Sequence, residues 1–254
     1  MMELARDRHP FKVVLKSAQA RVSEIMIAEA IFETIRTSGN ILYTMPASEQ
    51  MQQFVDARVR NAITDNPYLY DHITGSLNLK KFSLNHNTIY FRGVQKRRQI
   101  ITVDVSKLFA DELDEYEEGT ANTLTKRLGN AKNPLRRYFS TPSFHGTGIA
   151  LFYFGSETTK ERGSDQRVWT IKCESCGKWN EDLIWGENTR DLNDADRKNS
   201  IYYPDVVVIC RHCFKQMDRL SPNAEWVAAI PSNSGYCHGY HVSKLFSPTG
   251  DLNQ

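Results

Sequence analysis

The sequence predicts an α/β fold: a mainly parallel sheet flanked by helices, with a small cysteine-rich appendage in the second half. Three observations carry this. In the first half, short β-rich apolar runs alternate with segments of helical periodicity, the pattern of parallel strands joined by right-handed crossovers. An apolar run, Leu108-Phe109-Ala110, ends in two adjacent carboxylates, Asp111-Glu112. Two CxxC pairs, Cys173-Glu174-Ser175-Cys176 and Cys210-Arg211-His212-Cys213, stand in the second half.

Residues 11–15 read as a first strand that runs into the loop Lys16-Ser17-Ala18-Gln19-Ala20-Arg21-Val22-Ser23. From residue 23 to 35, Ile25, Ile27, Ala28, Ile31, Phe32 and Ile35 largely recur at helical spacing, with Ser23 as the expected N-cap. Residues 41–46 predict a second buried strand. Residues 48–63 predict a second helix that turns Met51, Phe54, Val55, Val59 and Ile63 to the core. Residues 77–84 and 88–94 alternate loosely around Asn85-His86-Asn87, which predicts a hairpin. The carboxylate strand follows, then a helix over 112–128, then a strand over 137–140 that ends at Ser140-Thr141-Pro142. Ligands in such sheets sit at the carboxyl ends of strands, where Lys16, Asp111 and Ser140 all fall.

At 254 residues, 40% hydrophobic and 24% charged, the chain can bury one large core and carry a smaller appendage. A net charge of +2 gives no bulk argument for nucleic-acid binding, which would need a local basic surface. Lys80-Lys81, Lys96-Arg97-Arg98 and Arg136-Arg137 are the clusters available. No apolar stretch reaches bilayer length and residues 1–12 carry charges throughout, so a cytoplasmic location is expected and no membrane partner. Four of the five cysteines fall in the CxxC pairs, which fits metal ligation in a reducing compartment better than a disulfide framework.

The carboxylate pair suits phosphoryl transfer, in which the protein mainly positions groups and neutralises charge. Asp111 would hold Mg²⁺ and Glu112 would orient the attacking water. The structural alternative is a pair of acids opening the following helix, at the positive end of its dipole. The loop after the first strand, taken alone, reads as an ordinary strand-to-helix turn, with a degenerate phosphate loop as the alternative. The standard form, GxxxxGK(S/T), uses glycines to bring backbone N–H groups to the phosphates and a lysine to neutralise them. Here both glycines are missing. Ser23 stands at the Mg²⁺-binding hydroxyl, Val22 at the usual lysine and Arg21 at the second glycine. Lys16 and Arg21 are the available cations.

Each CxxC knuckle can aim two thiolates at one tetrahedral Zn²⁺, and a four-thiolate site is closed and structural. Residues 177–209 between the pairs exceed the commonest spacing, which predicts a hairpin with its own loop across 191–200. Residues 168–172 and 206–209 are strand-like leads into the knuckles. His212 reads as a solvent-facing knuckle side chain, with replacement of a cysteine ligand as the alternative, and Cys237 as a free thiol; His238 and His241 lie close to Cys237 and leave a second metal site open. Trp169, Trp179, Trp185 and Trp226 are expected to fill the small core beside the metal. The charged stretch 190–198 reads as a solvated loop.

These residues resemble the large terminase subunit of tailed bacteriophages, specifically the group similar to that of phage lambda. The resemblance runs in order through Lys16-Ser17-Ala18, Leu42-Tyr43-Thr44-Met45-Pro46, Ala110-Asp111-Glu112-Leu113-Asp114-Glu115-Tyr116 and Ser140-Thr141-Pro142. It continues through Gly163-Ser164-Asp165-Gln166-Arg167, the two CxxC pairs and Gly239-Tyr240-His241-Val242-Ser243-Lys244-Leu245-Phe246-Ser247-Pro248. It implies a P-loop NTPase-type sheet that binds ATP and Mg²⁺ and hydrolyses ATP. Lys16, Ser17, Gln19, Ser23, Asp111, Ser140 and Thr141 would line the nucleotide, Ser23 and Asp111 holding Mg²⁺. Lys16, Arg21 and Glu112 would act in catalysis. Ser140-Thr141-Pro142 resembles the motif that senses the γ-phosphate and couples hydrolysis to DNA movement.

The partners implied are double-stranded DNA, the small terminase subunit, the portal protein and further copies of the chain in a ring, in the host cytoplasm. Arg127, Arg136, Arg137 and Arg167 are candidates for an arginine supplied to a neighbouring subunit. Residues 1–160 are expected to form the motor domain, 161–235 a zinc ribbon with Cys173, Cys176, Cys210 and Cys213 on Zn²⁺, and 236–254 a tail toward an absent nuclease domain. Nuclease activity is therefore not expected. The second reading is a catalytically impaired, zinc-stabilised module that binds DNA, portal or small subunit.

Overall fold

A computed structural model of the chain describes residues 1–95, 103–144, 146–181, 183, 189–191 and 206–246. The basic cluster Lys96-Arg97-Arg98, Trp185, residues 192–200 of the expected loop, and Ser247-Pro248 lie outside the described residues.

Parallel strands form the centre of one sheet. In chain order they are β1 (Phe11–Lys16), β2 (Ile41–Met45), β5 (Asn87–Gly93), β6 (Lys107–Asp111), β7 (Leu135–Ser140) and β13 (His238–Val242). Across the middle of the sheet their order is β13-β1-β7-β6-β2-β5, all parallel. Every residue of β1 and β6 is buried, as expected of parallel strands covered on both faces. β5 continues antiparallel into β4 (Lys81–Leu84) and β3 (Ile73–Asn78). The expected hairpin is thus a three-stranded meander, broken where Lys80 and Lys81 both donate backbone N–H groups to the Asn78 side chain.

Beyond β13 the sheet adds β8 (Arg167–Lys172), with β12 (Ala224–Ala228) and β9 (Trp179–Glu181) antiparallel to it. The segment expected as a tail therefore supplies a strand beside β1. The expected break at residue 160 does not coincide with a break in the sheet. β10 (Thr189–Asp191) pairs with β11 (Val206–Val208), so the predicted hairpin between the cysteine pairs is present.

One face of the sheet packs on α1 (Met2–Arg6), α2 (Val22–Arg36) and α3 (Ser48–Phe54), through Val14, Met26, Ala30, Tyr43, Val55 and Phe139 among others. α3 runs without interruption through a π-helical turn, Val55–Arg60, into α4 (Asn61–Thr64), and α5 (Pro67–Tyr70) follows. The other face packs Val13, Leu15 and Tyr138 against Leu124 and Leu128, and against Ile149 and Phe152 of a later helix. The predicted helix over 112–128 is shorter than expected. A 3-10 turn, Leu113–Glu115, comes first, and α6 (Thr120–Thr125) starts only after Gly119, whose φ of +79° interrupts the chain. α7 (Gly148–Phe154) follows β7.

Of the tryptophans, Trp226 is buried and meets Trp169 edge to face at 5.3 Å. Trp179 is exposed, contrary to the expected core role, because β9 is an edge strand.

Candidate functional site

The carboxyl ends of β1, β6 and β7 meet on three neighbouring strands, which brings Lys16, Asp111 and Ser140 together. The Lys16 ammonium donates to Asp111 Oδ1 at 3.0 Å, Glu112 Oε1 at 2.7 Å and Ser23 Oγ at 3.1 Å. Asp111 is fully buried; its Oδ2 accepts from Tyr43 Oη at 3.1 Å and its Oδ1 from the Glu112 N–H at 3.0 Å. Burial raises the pKa of Asp111, with the Lys16 charge opposing and the Glu112 charge assisting. Burial works against the Lys16 charge, but Asp111 and Glu112 outweigh it and raise its pKa. Burial, and then the Asp111 charge, push the Tyr43 phenol far above its usual range. Tyr43 is therefore a fixed hydrogen-bond donor to the carboxylate.

Glu112 sits at φ +51°, a left-handed conformation that turns its side chain back over the strand ends. Glu112 stands at the N-cap position of only a single 3-10 turn, Leu113–Glu115, without a side-chain cap hydrogen bond, and Asp111 is fully buried, so the reading of the pair as acids opening a helix does not hold. Glu112 Oε2 accepts from Ser140 Oγ at 3.3 Å and faces the Thr141 N–H at 3.5 Å. Ser140 Oγ also accepts the Asp114 N–H at 3.2 Å. Ser23 is not the N-cap of α2. Arg21 takes that position without a side-chain cap, and the Ser23 hydroxyl faces Lys16 instead.

Gln19 and Arg21 adopt φ +60° and +56°. These are left-handed conformations that glycine adopts freely, at a cost of about 1–2 kcal/mol for a residue with a Cβ. Arg21, at the position of the second glycine in the pattern, thus takes a conformation that a glycine would take without that cost. Lys16, Ser17, Gln19, Arg21, Ser23, Glu112 and Thr141 line an open cleft of about 770 Å³ with Glu24 and Arg58. The Ser17 hydroxyl is buried and has no partner among the described residues. The hydroxyl and carboxylate oxygens of Ser23 and Asp111 are the hard donors that Mg²⁺ takes.

Three contributors escaped the reading of the sequence. Tyr43 anchors Asp111 from the neighbouring strand. Asp114 accepts the N–H groups of Ser143 and Ile149 at 2.6 Å each, tying the Ser-Thr-Pro segment and the start of α7 to the acidic loop. Arg58 reaches the cleft from the π-helical turn. Local pattern carries no signal for Arg58, which comes from a different crossover; Tyr43 and Asp114 stand in the family-like runs of residues 42–46 and 110–116, but their contacts cross between segments that no local pattern joins.

Of the candidate arginines, Arg137 is fully buried, bound to Glu29 at 2.8 Å and to the carbonyls of His9 and Pro10, so it cannot serve a neighbouring subunit. Arg167 pairs with Asp165, and Arg136 lies over the Phe11 ring at 3.8 Å.

Cys173, Cys176, Cys210 and Cys213 place four sulfurs within 4.8 Å of one another, the one such cluster among the described residues. The Cys173–Cys213 and Cys176–Cys210 separations are 3.7 Å. A tetrahedron with Zn–S bonds of about 2.3 Å has edges of about 3.8 Å, so the spacing fits that ion. The knuckles are alike: Cys173 N–H bonds Lys178 O and Gly177 N–H bonds Cys173 O, as Cys210 N–H bonds Lys215 O and Phe214 N–H bonds Cys210 O. Burial acts to raise the Cys210 thiol, but N–H groups of Asn180, His212 and Cys213, together with the Cys176 thiol, hold it below its usual range. The His212 imidazole meets Trp179 O at 3.0 Å, away from the sulfurs. His238 Nδ1 meets Asp7 at 2.8 Å, a packing role.

Residues 1–226 match the family described as phage terminase large subunit gpA, ATPase domain. The chain belongs to that family. No curated protein sequence matches it. Among solved structures, an arginine-to-alanine variant of the Thermus phage P74-26 large terminase ATPase domain is 12% identical with a TM-score of 0.56. The alignment covers 99% of this chain and 81% of that one. The ADP complex of a large terminase from a thermophilic bacteriophage is 12% identical with a TM-score of 0.51, covering 63% and 42%. At such identity these likenesses establish the fold. The terminase chain spans 64%, 43% and 31% of the length of three large-terminase chains it matches, from Thermus phage P74-26, the thermophilic phage and phage HK97.

Proposed function

We propose that this chain is an ATP-hydrolysing motor domain that couples Mg²⁺-dependent hydrolysis to translocation of double-stranded DNA into a procapsid. The observation that carries the reading is the convergence of Ser23, Asp111 and Glu112 on the Lys16 ammonium, with Lys16, Ser23 and Glu112 lining one open cleft. Lys16 would exchange its carboxylate partners for nucleotide phosphates. Ser23 and Asp111 would hold Mg²⁺, which neutralises charge on the β- and γ-phosphates. Glu112 would orient a water in line with the γ-phosphorus and accept its proton as the bond to the bridging oxygen breaks. Ser140 and Thr141 touch Glu112, so a change at the γ-phosphate can reach β7 and the segment that Asp114 ties down.

Ring assembly, the small subunit, the portal and a host-cytoplasmic site of action belong to this reading through the family. Zinc on the four cysteines, holding the edge of the sheet, belongs to it through the sulfur spacing; one Zn²⁺ per chain by elemental analysis is the expected content. A non-hydrolysing binding module is the second reading. What favours it is the pair of non-glycine residues, Gln19 and Arg21, at the turns of the loop.

The test is Mg²⁺-dependent ATP turnover by the zinc-loaded chain, with and without duplex DNA, alongside Glu112→Gln. Turnover that rises with DNA and falls at least about 100-fold in Glu112→Gln supports the motor. Turnover indifferent to Glu112, or none, leaves the binding module.

A further inference from the structure

The cleft holds a third cation that neither the phosphate-loop pattern nor the carboxylate motif includes. Arg58 lies on the π-helical turn Val55–Arg60, between α3 and α4, and lines the cleft together with Lys16, Glu112 and Thr141. Single π turns inside helices recur at functional sites, because they re-aim side chains that a regular helix would direct elsewhere. Arg58 pairs with Glu24 in the first turn of α2, and its guanidinium lies 5.9 Å from the Phe54 ring. Both partners of the ion pair are open to solvent, Arg58 at 57% and Glu24 at 40%.

That exposure separates Arg58 from Arg137, which is fully buried on Glu29. A solvent-exposed pair contributes about 0–1 kcal/mol, so drawing Arg58 away from Glu24 costs little. A guanidinium on phosphate forms charge-assisted, often bidentate hydrogen bonds roughly twice as strong as neutral ones. The charge inventory of the cleft points the same way. Its lining carries Lys16, Arg21 and Arg58 against Glu24 and Glu112, an excess of positive charge that suits a Mg²⁺-bound triphosphate, which is net negative. The two side chains at the turns of the loop also limit close backbone approach to phosphate, which leaves more of that charge to cationic side chains.

The geometry points to Arg58 as a phosphate-binding residue of this cleft, with Glu24 as its resting partner. A nucleoside polyphosphate entering the cleft draws the guanidinium from Glu24 onto its phosphate oxygens. The assignment rests on the nucleotide reading above, and the experiment separates the two.

Equilibrium binding of ATP, ADP and adenosine is measured by calorimetry with Mg²⁺ present, on the unsubstituted chain and on Arg58→Ala, Arg58→Lys, Glu24→Gln and Glu112→Gln. Arg58→Ala should raise the Kd for ATP about tenfold and leave adenosine unchanged, and Arg58→Lys should recover part of the loss. Glu24→Gln should tighten ATP binding a few-fold by removing the competing carboxylate, a change of opposite sign that mere loss of structure would not produce. A Kd for ATP within twofold of the unsubstituted chain in Arg58→Ala, or an equal loss for adenosine, overturns the assignment. If the unsubstituted chain and Glu112→Gln bind no ATP, the nucleotide reading and this assignment fall together. If both bind and only Arg58→Ala is indifferent, this assignment falls alone.

Discussion

Lys12 and Lys16 lie four residues apart on β1, both buried and both paired with carboxylates, yet they do different work. Lys12 is fully enclosed. Its ammonium bonds Glu29 at 2.8 Å and the carbonyls of Leu4 and Asp7 at 3.0 Å, and Glu29 also holds Arg137. Lys16 opens onto a cleft, and each of its partners is a group that phosphoryl transfer can use. Burial, and then the Arg137 charge, lower Lys12 to about 8 against the pull of Glu29, whereas Asp111 and Glu112 raise Lys16 against its burial. The pair teaches that a buried lysine on a central strand becomes a candidate catalytic group through access to a ligand, and that burial and charge pairing alone do not make it one.

The largest test crosses the two sites. Glu29→Gln leaves Lys12 and Arg137 facing each other without their counter-charge, and should destabilise the fold by about 3 kcal/mol or more in urea unfolding. The nucleotide affinity of the remaining folded molecules should not change. Lys16→Ala should do the reverse: turnover about 100-fold lower or less, with the chain still folded by circular dichroism. If Glu29→Gln alone altered nucleotide affinity, the division between a structural and a functional lysine would be wrong.

The pH dependence of stability sharpens the contrast. Lys12 has a folded pKa of about 8 against 10.5 for the free side chain. Between those values the unfolded chain holds a proton that the folded chain has lost, so stability attributable to Lys12 rises with pH across that window and is lowest below it. Lys16, with its pKa raised, contributes stability that is fully present below 10.5 and lost only as pH climbs through its higher folded value. Urea unfolding at pH 8, 9 and 10 should therefore show a rising component that vanishes in Lys12→Met and persists in Lys16→Met.

The smallest effect lies in the loop between β1 and α2. Arg21→Gly relieves a left-handed conformation and should stabilise the chain by about 0.5–1 kcal/mol, the gain being trimmed by the greater freedom of glycine when unfolded. A thermal midpoint unchanged or lowered in Arg21→Gly would mean that the Arg21 side chain contributes more to the fold than its backbone costs.

By itself the sequence determined the parallel sheet, the strand ends at Lys16, Asp111 and Ser140, and the two cysteine knuckles. These are local signals: buried strands read as largely apolar runs, a strand end is marked where such a run gives way to polar residues, and a knuckle needs only two cysteines at fixed spacing. Sequence order also carried the family, because its motifs recur in one succession even where each is degenerate.

Tertiary structure alone decided the rest. That 238–242 is a strand beside β1, and not a tail, depends on pairing with residues more than 200 positions away, which no local pattern encodes. The anchoring of Asp111 by Tyr43, the clamp of Asp114 on two backbone N–H groups and the reach of Arg58 into the cleft all join separate crossovers. The different fates of Lys12 and Lys16 were settled the same way. Both are lysines on one apolar strand, and only the position of β1 within the packed sheet places Lys12 beneath α2 and Lys16 at the open end, where charge can meet a ligand.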